Sequence, residues 1–193
     1  MHEQLFKYIS NHSSTPLTEA EVSLITQVFV PKKLRKKQYF LQEGEVCKYM
    51  AFLVRGAMRQ YTVDEKGLEH IVRLTIENWW VGDRESFTML TPTIYNIEAW
   101  EESELLTITK ADATRLTAIP AIGETFQQMD QMHAIALQKR INASITMTAD
   151  QRYVQLVNTY PEFLQRFPQH HIASYLGITK ETLSRVRQKA LSK

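Results

Sequence analysis

Five polar residues late in this chain, Lys180, Glu181, Ser184, Arg185 and Gln188, are spaced to act together. They follow Thr179 by one, two, five, six and nine residues, and at 3.6 residues per turn Glu181, Ser184, Arg185 and Gln188 share a helical face. The chemistry open to such a face is recognition. An arginine can donate to guanine O6 and N7 together, and a glutamate can accept from cytosine N4. Phosphates repel a carboxylate, so Glu181 set beside cations suits base reading better than general attraction to a polyanion. Thr179, Thr182, Arg187 and Lys189 add hydroxyl and cationic groups suited to phosphate.

A reading face needs rigid support, and QHHIASYLGITKETLSRVRQK has the pattern of two helices joined by a tight turn. With Gln169 as the first position of a helix-turn-helix, the small residue needed where the helices touch falls fifth, at Ala173. The turn falls ninth, at Gly177, whose backbone is permissive. Ile172, Leu176, Ile178, Leu183 and Val186 fill the fourth, eighth, tenth, fifteenth and eighteenth positions, all of which must be apolar. Thr179 stands where a hydroxyl caps the second helix. The competing reading is a helical hairpin with no nucleic-acid role. His170 and His171 lack further ligands at metal-binding spacing and read as a solvent-facing pair near a helix start.

Charge follows the same division. Residues 1–149 hold 16 Lys/Arg against 18 Asp/Glu, whereas residues 150–193 hold 7 against 3, so a net charge of +2 conceals a basic final quarter. A length of 193 residues suits one large domain or two small ones, and 44% hydrophobic with 23% charged residues suits an ordinary buried core. No apolar run approaches the roughly 20 residues that span a bilayer. The opening MHEQLFKYIS is too polar for a secretory leader, so a cytoplasmic location without a membrane partner is expected. Cys47, the only cysteine, is expected as a buried thiol and excludes an intrachain disulfide. No haem or iron–sulfur signature appears.

From about Gln38 to Ile108 short apolar runs alternate with turn signals: YMAFLVRG at 49–56, AMRQYTV at 57–63, DEKG at 64–67, EHIVRLTI at 69–76 and IEAWEESELLTI at 97–108. Turns every 8–12 residues predict a β barrel, roll or sandwich. Residues 1–30 read as helical, with Thr18 as a cap and Glu21 three residues on. The basic run KKLRKK at 32–37 reads as a solvated connection. After Pro120, Phe126, Met129, His133, Leu137, Ile141 and Ile145 recur at intervals of three and four along one helical face. A helix of about 25 residues is nearly 40 Å long, more than a small roll can cover. A twin helix in a parallel dimer would bury the rest; packing on its own β domain is the alternative.

A β-rich segment, a long helix and a terminal helix-turn-helix with TKETLSRV together resemble the Crp/Fnr superfamily of bacterial transcription regulators, over nearly the whole chain. The resemblance implies an α+β fold. An N-terminal double-stranded β-roll of the cyclic-nucleotide-binding, jelly-roll type with flanking helices would occupy residues 1–118. A long dimerisation helix would follow at 119–147, and a helix-turn-helix DNA-binding domain at 148–193. It implies a homodimer on a palindromic operator in double-stranded DNA, with RNA polymerase as a further partner if the protein activates. The family's arginine–glutamate–arginine base readers fall on Lys180, Glu181 and Arg185, where lysine keeps charge and loses bidentate geometry.

The sensor departs from the family. Its cassette carries a Gly-Glu that holds the ribose and, about ten residues on, an arginine that holds the cyclic phosphate. Here Gly82-Asp83 stands at the first site and Thr93 at the arginine's position. Arg84 could substitute by pointing inward, though a solvated place beside Asp83 and Glu85 competes. Loss of a charge-assisted phosphate contact counts against cyclic AMP and cyclic GMP, and leaves an unidentified small-molecule effector or none. Trp79, Trp80 and Trp100 are candidates for pocket lining or core. The interval PEFLQRFPQHH is too short for the family's β-hairpin wing, so a reduced or absent wing is expected.

The expected function is therefore a homodimeric, sequence-specific DNA-binding transcription regulator with a degenerate effector pocket. The alternative is a cyclic-nucleotide-type sensor module whose terminal helices contact protein. No nucleophile–base pair, metal cluster or phosphate-binding glycine loop argues for an enzyme.

Overall fold

The structure is a computed structural model that describes residues 1–191. Helices α1 (His2–His12) and α2 (Glu19–Val28) come first. The Thr18 hydroxyl accepts from the Glu21 amide while the Glu21 carboxylate accepts from the Thr18 amide, closing the expected capping box. Strands β1 (Val30–Leu34), β2 (Tyr39–Leu41), β3 (Tyr49–Arg55), β4 (Met58–Val63), β5 (Glu69–Thr75) and β6 (Trp80–Val81) follow. Next are α3 (Arg84–Met89), β7 (Asn96–Ala99), β8 (Ser103–Thr109) and α4 (Lys110–Leu116). The remainder is helical among the described residues: α5 (Pro120–Thr146), α6 (Ala149–Thr159), α7 (Pro161–Arg166), α8 (Gln169–Leu176) and α9 (Lys180–Leu191).

The strands make two four-stranded sheets, ordered β1-β8-β3-β6 and β2-β7-β4-β5. β8 runs antiparallel to both β1 and β3, and β2 antiparallel to β7. Turn chemistry fixes the β4–β5 hairpin, where Asp64 Oδ1 accepts from the amides of Lys66 and Leu68. Period-two alternation along β3 and β8 divides the core in two. Ala51, Leu53 and Leu105 join Leu34, Leu41, Met58, Ile97 and the buried Cys47. Phe52, Val54, Leu106 and Ile108 face the other way, onto Leu5 and Ile9 of α1, Ile25 of α2 and Ile122 of α5. Each such side chain contributes about 1.5–3 kcal/mol by leaving water. Trp80 belongs to this second core, with ring centroids 5.6 Å from Phe52, 5.8 Å from Phe126 and 6.1 Å from Phe29.

Contacts divide the chain into two compact units, Met1–Gln60 with Thr75–Met132, and Tyr61–Leu74 with His133–Lys193. The β4–β5 hairpin thus groups with the C-terminal helices. In the first unit, the Glu124 carboxylate accepts from the hydroxyls of Thr15, Ser13 and Ser14 and from the Ser14 amide. These bonds hold its pKa down at about 2 and tie the α1–α2 connection to α5.

The second unit is built around Phe163, fully buried, stacked on Tyr160 at 4.9 Å and edge-on to Phe167 at 5.5 Å and Tyr175 at 6.0 Å. Tyr153 and Leu156 of α6, Ile172 and Ala173 of α8, and Leu183 and Val186 of α9 are also buried. The interval between α6 and α8 contains the short helix α7 instead of a hairpin, with Pro161 in its first turn, where its missing N–H costs nothing.

Candidate nucleic-acid interface and sensor pocket

The turn between α8 and α9 is made by backbone that only a few residues tolerate. Gly177 takes φ 65 and ψ 38, its amide bonds Ser174 O at 3.0 Å, and the Ile178 amide bonds Ala173 O at 3.0 Å. That pair of bonds is a Schellman motif, and it satisfies the last carbonyls of α8 while redirecting the chain. Thr179 then caps α9, its Oγ1 accepting from the Thr182 amide at 3.2 Å. Leu183 and Val186 anchor the inner side of α9, and Lys180, Glu181, Ser184, Arg185, Gln188 and Lys189 are exposed. Thr182 and Arg187 are half-buried at the edges.

The anticipated face is therefore intact. The Glu181 carboxyl pKa is lowered by its own backbone N–H, the Thr179 hydroxyl and the nearby Lys180. Lys189 is partly committed, because its Nζ lies 3.3 Å from Asp150 Oδ1 of α6. The histidine pair requires correction. His170 is exposed, but His171 is buried with Ile172 and Ala173, since α8 is packed by α6, α7 and α9 on more than one side.

In the first unit, Gly82, Asp83 and Thr93 come together and Arg84 leaves them. Gly82 is buried at φ 142, and a Cβ there would strike Met50 Sδ. Asp83 is buried and caps α3, its Oδ1 accepting from the Glu85 amide at 3.0 Å and the Ser86 amide at 3.4 Å. Its other oxygen accepts from the Thr93 hydroxyl at 2.6 Å, and Thr93 Oγ1 accepts from the Tyr95 amide at 3.1 Å. Both groups where a nucleotide would be gripped are thus bonded to each other and to the local backbone. Arg84 is half-exposed and pairs with Asp130 of α5, so it is not a substitute inside the pocket. Next to this site, burial raises the Cys47 thiol pKa, as expected of an inert sulfur. Trp79 and Trp100 are half-buried.

Along α5 the apolar stripe has two fates. Phe126 and Met129 pack against the first unit's core. His133 is half-buried, while Leu137, Ile141 and Ile145 are 47%, 57% and 78% exposed.

Residues 31–119 match the family model described as a cyclic nucleotide-binding domain. No curated protein matches the chain. Among solved structures, FixK2 from Bradyrhizobium japonicum superposes at TM-score 0.72 with 18% identity, covering 86% of this chain and 85% of that one. The c-di-GMP-responsive global regulator CLP of Xanthomonas campestris gives TM-score 0.71 at 12% identity, covering 91% and 92%. A putative transcriptional regulator of the Crp/Fnr family from Eubacterium rectale gives 0.64 at 16%, covering 90% and 83%. This chain has the Crp/Fnr fold.

Within that Crp/Fnr fold two positioning contacts escaped the sequence reading. Arg140 of α5 places its guanidinium 4.3 Å over the Tyr175 ring, donates to Tyr175 O at 3.2 Å and also donates to Val72 O of β5. Ser174 of α8 accepts from the Ile71 amide at 2.8 Å. Together they fasten the first helix of the helix-turn-helix to the β4–β5 hairpin. Nothing in the sequence marks them, since a lone serine and a lone helical arginine have no spacing signature.

Proposed function

We propose that this chain is a homodimeric, sequence-specific DNA-binding transcription regulator of the Crp/Fnr type, working in the cytoplasm and without catalytic activity. One observation carries the reading: Glu181, Ser184, Arg185 and Gln188 stand exposed on one side of a capped helix whose opposite side is locked by Leu183 and Val186. In helix-turn-helix proteins the N-terminal part of the second helix enters the major groove. Lys180 and Arg185 supply cations there, Glu181 an ionised acceptor, and Thr179, Thr182, Arg187 and Lys189 phosphate contacts along the rim. His133, Leu137 and Ile141 form the α5 seam of the dimer, Phe126 and Met129 being committed to the core of their own unit, and two such subunits meet a palindromic operator. RNA polymerase is a further partner where the protein activates.

Arg185→Ala is expected to lower affinity for the selected operator by about 1–3 kcal/mol and to relax selectivity at one base pair per half-site. Competition binding against single-base operator variants reads this directly. Equal weakening on every sequence would instead make Arg185 a phosphate contact.

The bond between Asp83 and Thr93 supports an effector pocket that has lost its cyclic-nucleotide chemistry, leaving another small molecule or none as effector. Micromolar cyclic AMP or cyclic GMP is therefore expected to leave the melting temperature unchanged. A rise of several degrees would overturn this reading of Thr93.

A further inference from the structure

We infer that Gln188 is an additional specificity-determining residue, reading an adenine one base-pair step beyond the base pair met by Arg185; this rests on the DNA-binding reading above. Gln188 is exposed on the strip that carries Glu181, Ser184 and Arg185, three residues after Arg185 and four after Ser184. Side chains at those separations are neighbours on a helix surface. A rise of 1.5 Å per residue sets Gln188 about 4.5 Å along the axis from Arg185 and about 10.5 Å from Glu181. Base pairs follow one another about every 3.4 Å. A helix lying along the groove therefore presents Glu181, Arg185 and Gln188 to about three successive steps, with Gln188 at the far end from Glu181.

The chemistry of the amide selects the base. A glutamine offers one donor and one acceptor side by side, which match adenine N7 and the N6 amino group. A neutral amide gains little from phosphate, because it releases no counterion. The residues flanking it carry the charge instead: Arg187 is half-buried at the edge, and Lys189 is drawn to Asp150 at 3.3 Å. The position suited to an uncharged reader thus holds the one uncharged bidentate side chain of the strip.

Bound-site selection from random duplexes, run in parallel with the wild type, Gln188→Ala and Gln188→Glu, tests this. The wild type is expected to prefer adenine at the step beyond the Arg185 position, by about 5- to 150-fold over other bases. Gln188→Ala, a helix-favouring change at an exposed site, loses that preference and keeps those at the Glu181 and Arg185 positions. Gln188→Glu moves the preference to cytosine, whose N4 a carboxylate accepts. If the wild type selects a half-site that Gln188→Ala leaves unaltered, or if Gln188→Ala weakens all sequences alike, Gln188 is no base reader. If the wild type selects nothing, the DNA-binding reading itself fails and the inference with it.

Discussion

Leu137→Asp combined with Ile141→Asp is expected to leave the protein monomeric and to lower its affinity for a two-half-site operator by about 100-fold or more. Both side chains are folded parts of α5 yet sit largely in water, and Ile145 continues the same strip one turn on. A helix that exposes a row of large apolar residues has kept a surface for something else to cover. The front of the stripe is already spent, since Phe126 and Met129 pack against the core of their own unit. The half beyond His133 is not. In the proposed dimer, two carboxylates introduced there would lie in the seam, unpaired and desolvated, at a cost larger than the apolar contact they replace. Without the dimer each recognition helix must find its half-site alone, and the gain from linked binding, typically 10²–10⁴-fold, disappears. Sedimentation equilibrium with titrations on one-half-site and two-half-site duplexes checks both parts. A variant that stays dimeric would place the dimer seam elsewhere.

Arg59→Ala is expected to cost about 3–5 kcal/mol of stability, which in a chain of this size lowers the melting temperature by roughly 6–20 °C. Arg59 Nε and Glu98 Oε1 lie 2.7 Å apart with side chains only 8% and 6% exposed, and the guanidinium stands 5.7 Å from the Trp100 ring. Removing the arginine leaves a carboxylate buried beside β4 without its principal cation. That residual charge, more than the lost attraction, sets the size of the effect. Arg59→Met with Glu98→Leu should recover most of the loss. Calorimetry on the two variants and the wild type decides the matter, and a single-mutant penalty below about 1 kcal/mol would mean that water reaches Glu98.

How far such features can be read in advance depends on whether they leave a periodic trace. The helix-turn-helix does, because Ala173, Gly177 and the five apolar positions around them are each required by one local geometry, and all are found where required. Thr18 with Glu21, and the turn at Asp64, are legible for the same reason, being caps and turns made within four residues. The short helix α3 is not foreseen, since Asp83 resembles a ligand group and only the structure makes it a helix cap held by Thr93, ten residues away. Arg59 and Glu98 are 39 residues apart on separate strands, so nothing local announces their pairing. His171 misleads because beside His170 it looks solvent-facing, whereas the crowding around α8 comes from three other helices.

The measurement nearest the central claim is selection of bound duplexes from a random library by the purified wild-type protein. The expected product is a single motif of two inverted half-sites centred about 34–36 Å apart, so that paired copies of α9 meet successive major grooves. Recovery of no sequence in preference to scrambled competitor would contradict it.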